Sequence, residues 1–481
     1  MTPYNSGEDV SYWERACDFF RMVGASETEG SYFIHNKNSN MVKIGIMCRA
    51  AVSIDEGVLS CTEDGEKTVV DSHSEADIFK HIEKLLKRDA PYFFIVSPDI
   101  HRRFVDKELP QAVFVQPSIE FVFSPDRKLG QISFSRDFAS ERQGGLMLRA
   151  FSEELFSAQP NCLGEPLLFS EMVASWISAE DDESFLKRLD DAISILQDFP
   201  DGKMTLTRAY EYRLAAKHDP FKLYELHASM NGDYACSHFF CVRKDVFALG
   251  SSPENIFELD DRTLMVDVVA ATCKPSDDGE FLATELYDNP KQLKEHRSSL
   301  VNRMNRFNAF CEGGSIKVTK ELQIKKLRNV FHLYSIFMGK LLISINIFDL
   351  LGNIFPLLGA RPKELLAIAD AERAPHRYYG GVVGHMHLQT GGCFLNIRNA
   401  LLNDYTIHVK VGVGVLKESS SSSELIETQD KISGLMEAIH LWEESFHAEE
   451  DPEAASLGRS ETEDSKPKLQ NSNKDHAANN D

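Results

Sequence analysis

The sequence predicts a mixed α/β (α+β) chain built around a large core, and three observations carry that prediction. The chain has 481 residues of which 42% are hydrophobic, enough to enclose a sizeable interior. Short runs rich in β-branched and aromatic residues alternate with turn residues, and other stretches repeat their apolar positions at helical spacing. Between residues 1 and 135 the strand-like runs are MVKIGIMC, YFFIVS, AVFVQP and IEFVF, and one amphipathic helix fits Ala76 to Arg88. From Glu183 to Gln197 the pattern is helical again, and Phe199-Pro200-Asp201-Gly202 then turns the chain into the strand KMTLTR. HFFCVRKDVFALG and TLMVDVVAAT read as further strands, and Asn289-Pro290 offers an N-cap and a first-turn proline for a helix. The greasiest stretch, Ile336 to Leu358, is interrupted by Lys340, Asn346, Asp349 and Asn353, too polar for an unassisted membrane span; it reads as a pair of core helices.

Composition narrows the function classes. A formal charge of -22 argues against nonspecific nucleic-acid binding, which needs a basic surface to neutralise phosphates. Nine cysteines without a C-x-x-C pair fit a reducing compartment better than a disulfide framework or zinc site, and the first twenty residues lack a secretory pattern, so a cytoplasmic protein is expected. After His447 the chain holds no Phe, Tyr, Trp, Val or Ile and only two leucines, so residues 447–481 read as a disordered acidic tail.

Several residues could carry chemistry. In SELIETQDK a helix would place Glu424, Glu427 and Lys431 on one face, at i, i+3 and i+7. The Asn289-Pro290 helix offers Glu295, and carboxylates from two helices could share a hard cation such as magnesium. The bland alternative for both is a solvated helix face. Glu254, after Gly250-Ser251-Ser252-Pro253, sits at a strand end, where burial could keep it protonated as a general acid. Lys203 heads an apolar strand, where desolvation could leave it neutral enough to activate water. In the strand NIRNALL, Arg398 stands among apolar neighbours, and HVKVGVGV exposes the backbone of Gly412 and Gly414; an arginine beside glycine amides makes a carboxylate clamp, whereas a structural arginine would pair with a buried acid.

Taken in order, SSPENIF, NPKQLKEH, NVFHL, IFPLLGARPKE, YYGGVVG, NIR, VGVGV and ELIETQDK resemble the chorismate-utilising enzymes: anthranilate synthase large subunits and aminodeoxychorismate, isochorismate and salicylate synthases. The likeness covers roughly residues 180 to 445. It implies one large domain of two facing β-sheets with outer helices, in which 1–180 form a divergent N-terminal part and 181–446 the catalytic region. It also implies magnesium held by Glu295 and Glu427 with Glu424 beside them, and chorismate held by Arg398 and the backbone around Gly412 and Gly414. Thr272, His332 and Lys431 match family positions beside the substrate, and Glu254 matches the acid that assists departure of the C4 hydroxyl.

Lys203 matches the lysine of the water-using branch, where ammonia-using relatives usually carry glutamine. The implied reaction is water addition at C2 with loss of the C4 hydroxyl, giving isochorismate, with salicylate plus pyruvate as a further product to test. Ala270 occupies the site of the nucleophilic lysine of aminodeoxychorismate synthases, which argues against that branch. Alternatives are an anthranilate or aminodeoxyisochorismate synthase large subunit fed by a separate glutaminase, which PHRYYGG favours, and a catalytically silent homologue. The departures Ala271, Ala360, Arg361, Asn289 and Gln292 motivate the last: each alanine adds a methyl where backbone would approach ligand, and the amides and Arg361 shift the local charge positive.

Overall fold

A computed structural model of the chain describes residues 11–70, 78–87, 89–100, 109–134, 142–147, 149, 177–178, 180–214, 219–231, 234–273, 287, 289–326, 331–355, 357–366 and 377–450. In chain order the elements are α1 (Tyr12–Met22), β1 (Tyr32–Asn36), β2 (Met41–Asp55), β3 (Val58–Glu63), β4 (Glu66–Val70), α2 (Ile78–Leu85), β5 (Tyr92–Val96), β6 (Ala112–Ser124), β7 (Arg127–Phe134), β8 (Ile177–Ser178) and α3 (Asp182–Leu196). There follow β9 (Lys203–Arg213), α4 (Pro220–Met230), β10 (Cys236–Arg243), β11 (Val246–Ser252), β12 (Asn255–Asp260), β13 (Thr263–Cys273), α5 (Pro290–Asn308), β14 (Lys317–Lys326) and β15 (Phe331–Lys340). The last described elements are α6 (Ile347–Ile354), β16 (Ala360–Arg361), β17 (Val382–His387), β18 (Thr390–Leu395), β19 (Asn399–Asn403), β20 (Thr406–Val415) and α7 (Ser421–Glu450).

The strands form two antiparallel limbs that share one ribbon, the long pairing of β2 with β6. From β2 the first limb runs β1, β10, β11, β19, β20, β9, with β16 and β8 on β9. From β6 the second runs β5, β17, β18, β12, β13, β15, β14. Alternation along each strand sends one set of side chains inward and the other outward. Inward sets from both limbs interlock, as where Phe93 of β5 meets Phe240 of β10 with ring centroids 4.9 Å apart. Outward sets are covered by α1, α4 and α7 on the first limb and by α2, α5 and α6 on the second. The expected class is therefore observed, with two facing sheets and outer helices.

Between the sheets lies a buried polar knot. Tyr32 Oη donates to Glu120 Oε1 at 2.6 Å, His385 Nε2 donates to the same oxygen at 2.5 Å, and Lys43 Nζ donates to His385 Nδ1 at 3.0 Å. Burial alone would raise Glu120, but His385, Lys43 and Tyr32 outweigh it and bring the carboxyl down to about 2. The charges of Lys43 and Glu120 are thus bridged by a neutral imidazole.

Helix starts follow their caps: Asp181 accepts from the Ser184 amide at the head of α3, and Asn289 accepts from the Gln292 amide at the head of α5. Two expectations are corrected. Ile336 to Leu358 is no helix pair: residues 331–340 are strand β15, whose alternating burial marks a sheet face, and only α6 is helical. Nor does Arg398 lie within a strand; it precedes β19 with φ +50°, a left-handed turn. Residues beyond 450, where most of the acidic tail was expected, lie outside the described ones. Among the described residues no helix is long and apolar enough to cross a membrane.

Candidate active site

The floor of the site is set by strand period. Met204 and Leu206 of β9 pack with Val413 and Val415 of β20 in the apolar cluster under α3. Lys203, Thr205 and Thr207, with Gly412 and Gly414 across from them, therefore share the other face. The Lys203 chain lies over Gly414, where an added Cβ would stand 2.5 Å from Lys203 Cε and 3.0 Å from Nζ. A Cβ on Gly412 would stand 2.9 Å from Tyr379 Oη. Both glycines thus admit a polar side chain against bare backbone.

Helix α7 brings its first turns to this floor. Lys431 Nζ donates to the Gly412 carbonyl at 3.0 Å and pairs with Glu427 at 2.7 Å, while Glu424 one turn earlier is buried. Burial would raise Glu427, but the Lys431 ammonium, with His332 and Lys203 nearby, holds it below the usual carboxylate range. His332 of β15 is in register with Thr272 of β13, so the pairing of those strands delivers both positions together. Side chains of Thr272 and Glu295 lie outside the described residues.

Helix α5 lies along the second limb, where buried His296 Nε2 and Ser335 Oγ of β15 are 2.8 Å apart. Its first turns reach the head of β9: Lys294 pairs with Asp201 at 3.5 Å, and Arg361, in register with Lys203, donates from Nη2 to Ser298 Oγ at 3.3 Å. The backbone of Glu295 is carried to that place. Further along the same helix, Arg303 forms an ion pair with Glu254 and donates to the carbonyls of Asn255 at 3.3 Å and Asp267 at 3.1 Å. Glu254 therefore does not sit in an isolated apolar pocket, as burial of a protonated acid would suggest, but against a guanidinium.

Arg398 joins from the first limb. Its carbonyl accepts from the Ser251 amide at 3.1 Å and from His227 Nε2 at 2.9 Å, two bonds that fix its left-handed backbone. His227 Nδ1 then accepts from Asn231 Nδ2 at 3.0 Å, which sets the tautomer, and burial pushes this imidazole down to about 4. Burial lowers the Arg398 guanidinium and nearby Tyr379 works against that. No acid among the described residues pairs with it. His227 and Arg303 escaped the sequence reading, and Tyr379 entered it only as part of the YYGGVVG run; the i, i+4 spacing of His227 and Asn231 was a hint at the first.

Lys203, Gly412, Gly414, Glu427, Lys431 and His332 thus form one group, with Arg398 near it through Tyr379 and Thr272 through strand register; α5 brings the backbone of Glu295 alongside, and Glu254 lies further along that helix, against Arg303. Among the described residues no three or more His, Cys, Asp or Glu side chains converge as a cation site; Glu424 and Glu427 present two carboxylates a turn apart. A family model described as chorismate binding enzyme matches residues 29–437. The chain belongs to the chorismate-binding enzyme family.

Relatives of this chorismate-binding chain include anthranilate synthase component 1 of Arthrobacter globiformis, 27% identical over 59% of this chain and 55% of that protein. Isochorismate synthase MenF of Bacillus subtilis is 26% identical over 54% of this chain and 56% of its own length. The chain spans about half the length of these relatives. Among solved structures it resembles anthranilate synthase component I from Streptococcus pneumoniae, with TM-score 0.67 and 19% identity over 82% of this chain and 92% of that one. The menaquinone-specific isochorismate synthase MenF from Escherichia coli gives TM-score 0.64 and 17% identity over 91% of this chain and 92% of its own. At such identities these structures establish the fold alone.

Proposed function

We propose that the chain is a magnesium-dependent isochorismate synthase. Lys203 takes a proton from water as the water oxygen bonds to C2 of chorismate, both ring double bonds shift by one position, and the C4 hydroxyl departs as water on receiving a proton from the site. Glu254, steadied by Arg303, is the group that assists this departure, and Arg398 with the backbone around Gly412 holds a substrate carboxylate. The observation that supports the reading best is the Lys203 chain laid over Gly414 beside the group of Glu427, Lys431 and His332. Glu424 and Glu427 suit magnesium, which takes one or two carboxylates and completes its shell with water and substrate oxygens; Glu295 is the third acid assigned to it. When bound, the ion supplies positive charge to the substrate carboxylate. Seven free cysteines among the described residues support a reducing, cytoplasmic setting.

The amination reading, a large subunit taking ammonia from a separate glutaminase, keeps support from the anthranilate synthase relatives. Incubation with chorismate and magnesium, with and without ammonium, followed by mass identification of products decides between them. Isochorismate, or salicylate plus pyruvate, formed without ammonium supports the water reading. A product that appears only with ammonium overturns it, and no turnover points to a silent homologue.

A further inference from the structure

We infer that Arg361 is a second carboxylate-binding residue of the site, taking the substrate carboxylate that Arg398 does not hold. This rests on the chorismate reading, since chorismate is a dicarboxylate. Strand β16 pairs with β9 so that Arg361 stands directly opposite Lys203, and register partners share a sheet face. Arg361 opposite Lys203 puts two nitrogen donors on one face, able to share one anion. The Arg361 side chain crosses to α5, where Nη2 donates to Ser298 Oγ at 3.3 Å, one turn beyond Glu295. Its Nε is buried, and among the described residues it has no hydrogen-bond partner and the guanidinium no carboxylate. A guanidinium with a free edge, a hydroxyl beside it and a lysine opposite matches the fork geometry of a carboxylate. The two arginines occupy different sides of the group: Arg398 stands by Tyr379 and Gly412, Arg361 by Lys203 and α5.

A purely structural Arg361 would tie β16 to α5 and leave substrate affinity alone, so binding is the deciding readout. Chorismate would be titrated calorimetrically into the magnesium-loaded chain in a Glu254→Gln background, which keeps the substrate unconverted, with and without Arg361→Gln. Arg361→Gln should weaken binding by about tenfold to a hundredfold, the loss of a charge-assisted pair. Arg361→Lys, which keeps the charge and drops the fork, should fall between the two and guards against a folding defect in the first variant. Parental affinity in Arg361→Gln overturns the inference while leaving the chorismate reading intact. A parent chain that binds no chorismate sinks that reading, and this inference with it.

Discussion

Gly414→Ala tests the placing of Lys203 without altering the lysine. The new methyl would stand 2.5 Å from Lys203 Cε, against about 3.5 Å for an ordinary carbon contact, so the end of the lysine chain must retreat by about 1 Å. What gives way is the end of a flexible side chain, and Gly414 is not in the left-handed region, so alanine fits the strand. The fold should therefore keep its thermal midpoint. A 1 Å misplacement of a catalytic group costs about a hundredfold in rate, or about 2.7 kcal/mol of barrier. Steady-state formation of isochorismate, followed by product chromatography beside a thermal melt, should show kcat falling by that order with KM little changed. Parental kcat in a fully folded Gly414→Ala would refute the claim that Lys203 acts from its place over this glycine.

Three further outcomes are expected. Lys203→Gln should abolish water addition yet leave magnesium-dependent chorismate binding largely intact; equal loss of binding would remove its role as base. Glu120→Gln should strand Lys43 in the inter-sheet knot and cost about 3–5 kcal/mol in urea unfolding, whereas a change below about 1 kcal/mol would mean the knot is not a coupled unit. His227 stays neutral in the fold down to about 4, while in the unfolded chain it takes a proton near 6.5, so falling pH favours the unfolded state across that window. Its share of the lost stability approaches roughly 3 kcal/mol at the lower end. His227→Gln, which still donates to the Arg398 carbonyl, should flatten the drop in urea midpoint between pH 7 and 4.5, and an unchanged slope would contradict the assignment.

Local rules were legible where local physics decides. The helix predicted over 183–197 is α3 within a residue at each end, because its period and its Asp181 cap agree. HFFCVRKDVFALG instead hides a hairpin: both strands are buried up to exposed Arg243 at the turn, so no alternation announces the break, and the turn at Asp245 uses a left-handed backbone without glycine. Gly412, Gly414 and the pair of Glu424 and Glu427 were visible as candidates because bare backbone in a strand and carboxylates a turn apart leave marks in sequence. Arg303 and His227 could not, since each acquires its meaning only when a distant strand end is laid against its helix.

The pairing of β9 with β20 has a consequence for how the protein is made. Lys203 and Gly414 meet across some two hundred residues of intervening chain, and β1 must wait for β10 before it has both neighbours. A nascent chain released as far as β19 has neither a floor for the lysine nor the helix that bears Glu427 and Lys431. Long-range antiparallel closure of this kind is slow and leaves open strand edges in the meantime. Among the described elements β20 and α7 come last in chain order, so the floor under Lys203 and the helix bearing Glu427 and Lys431 join the first sheet only after its other strands.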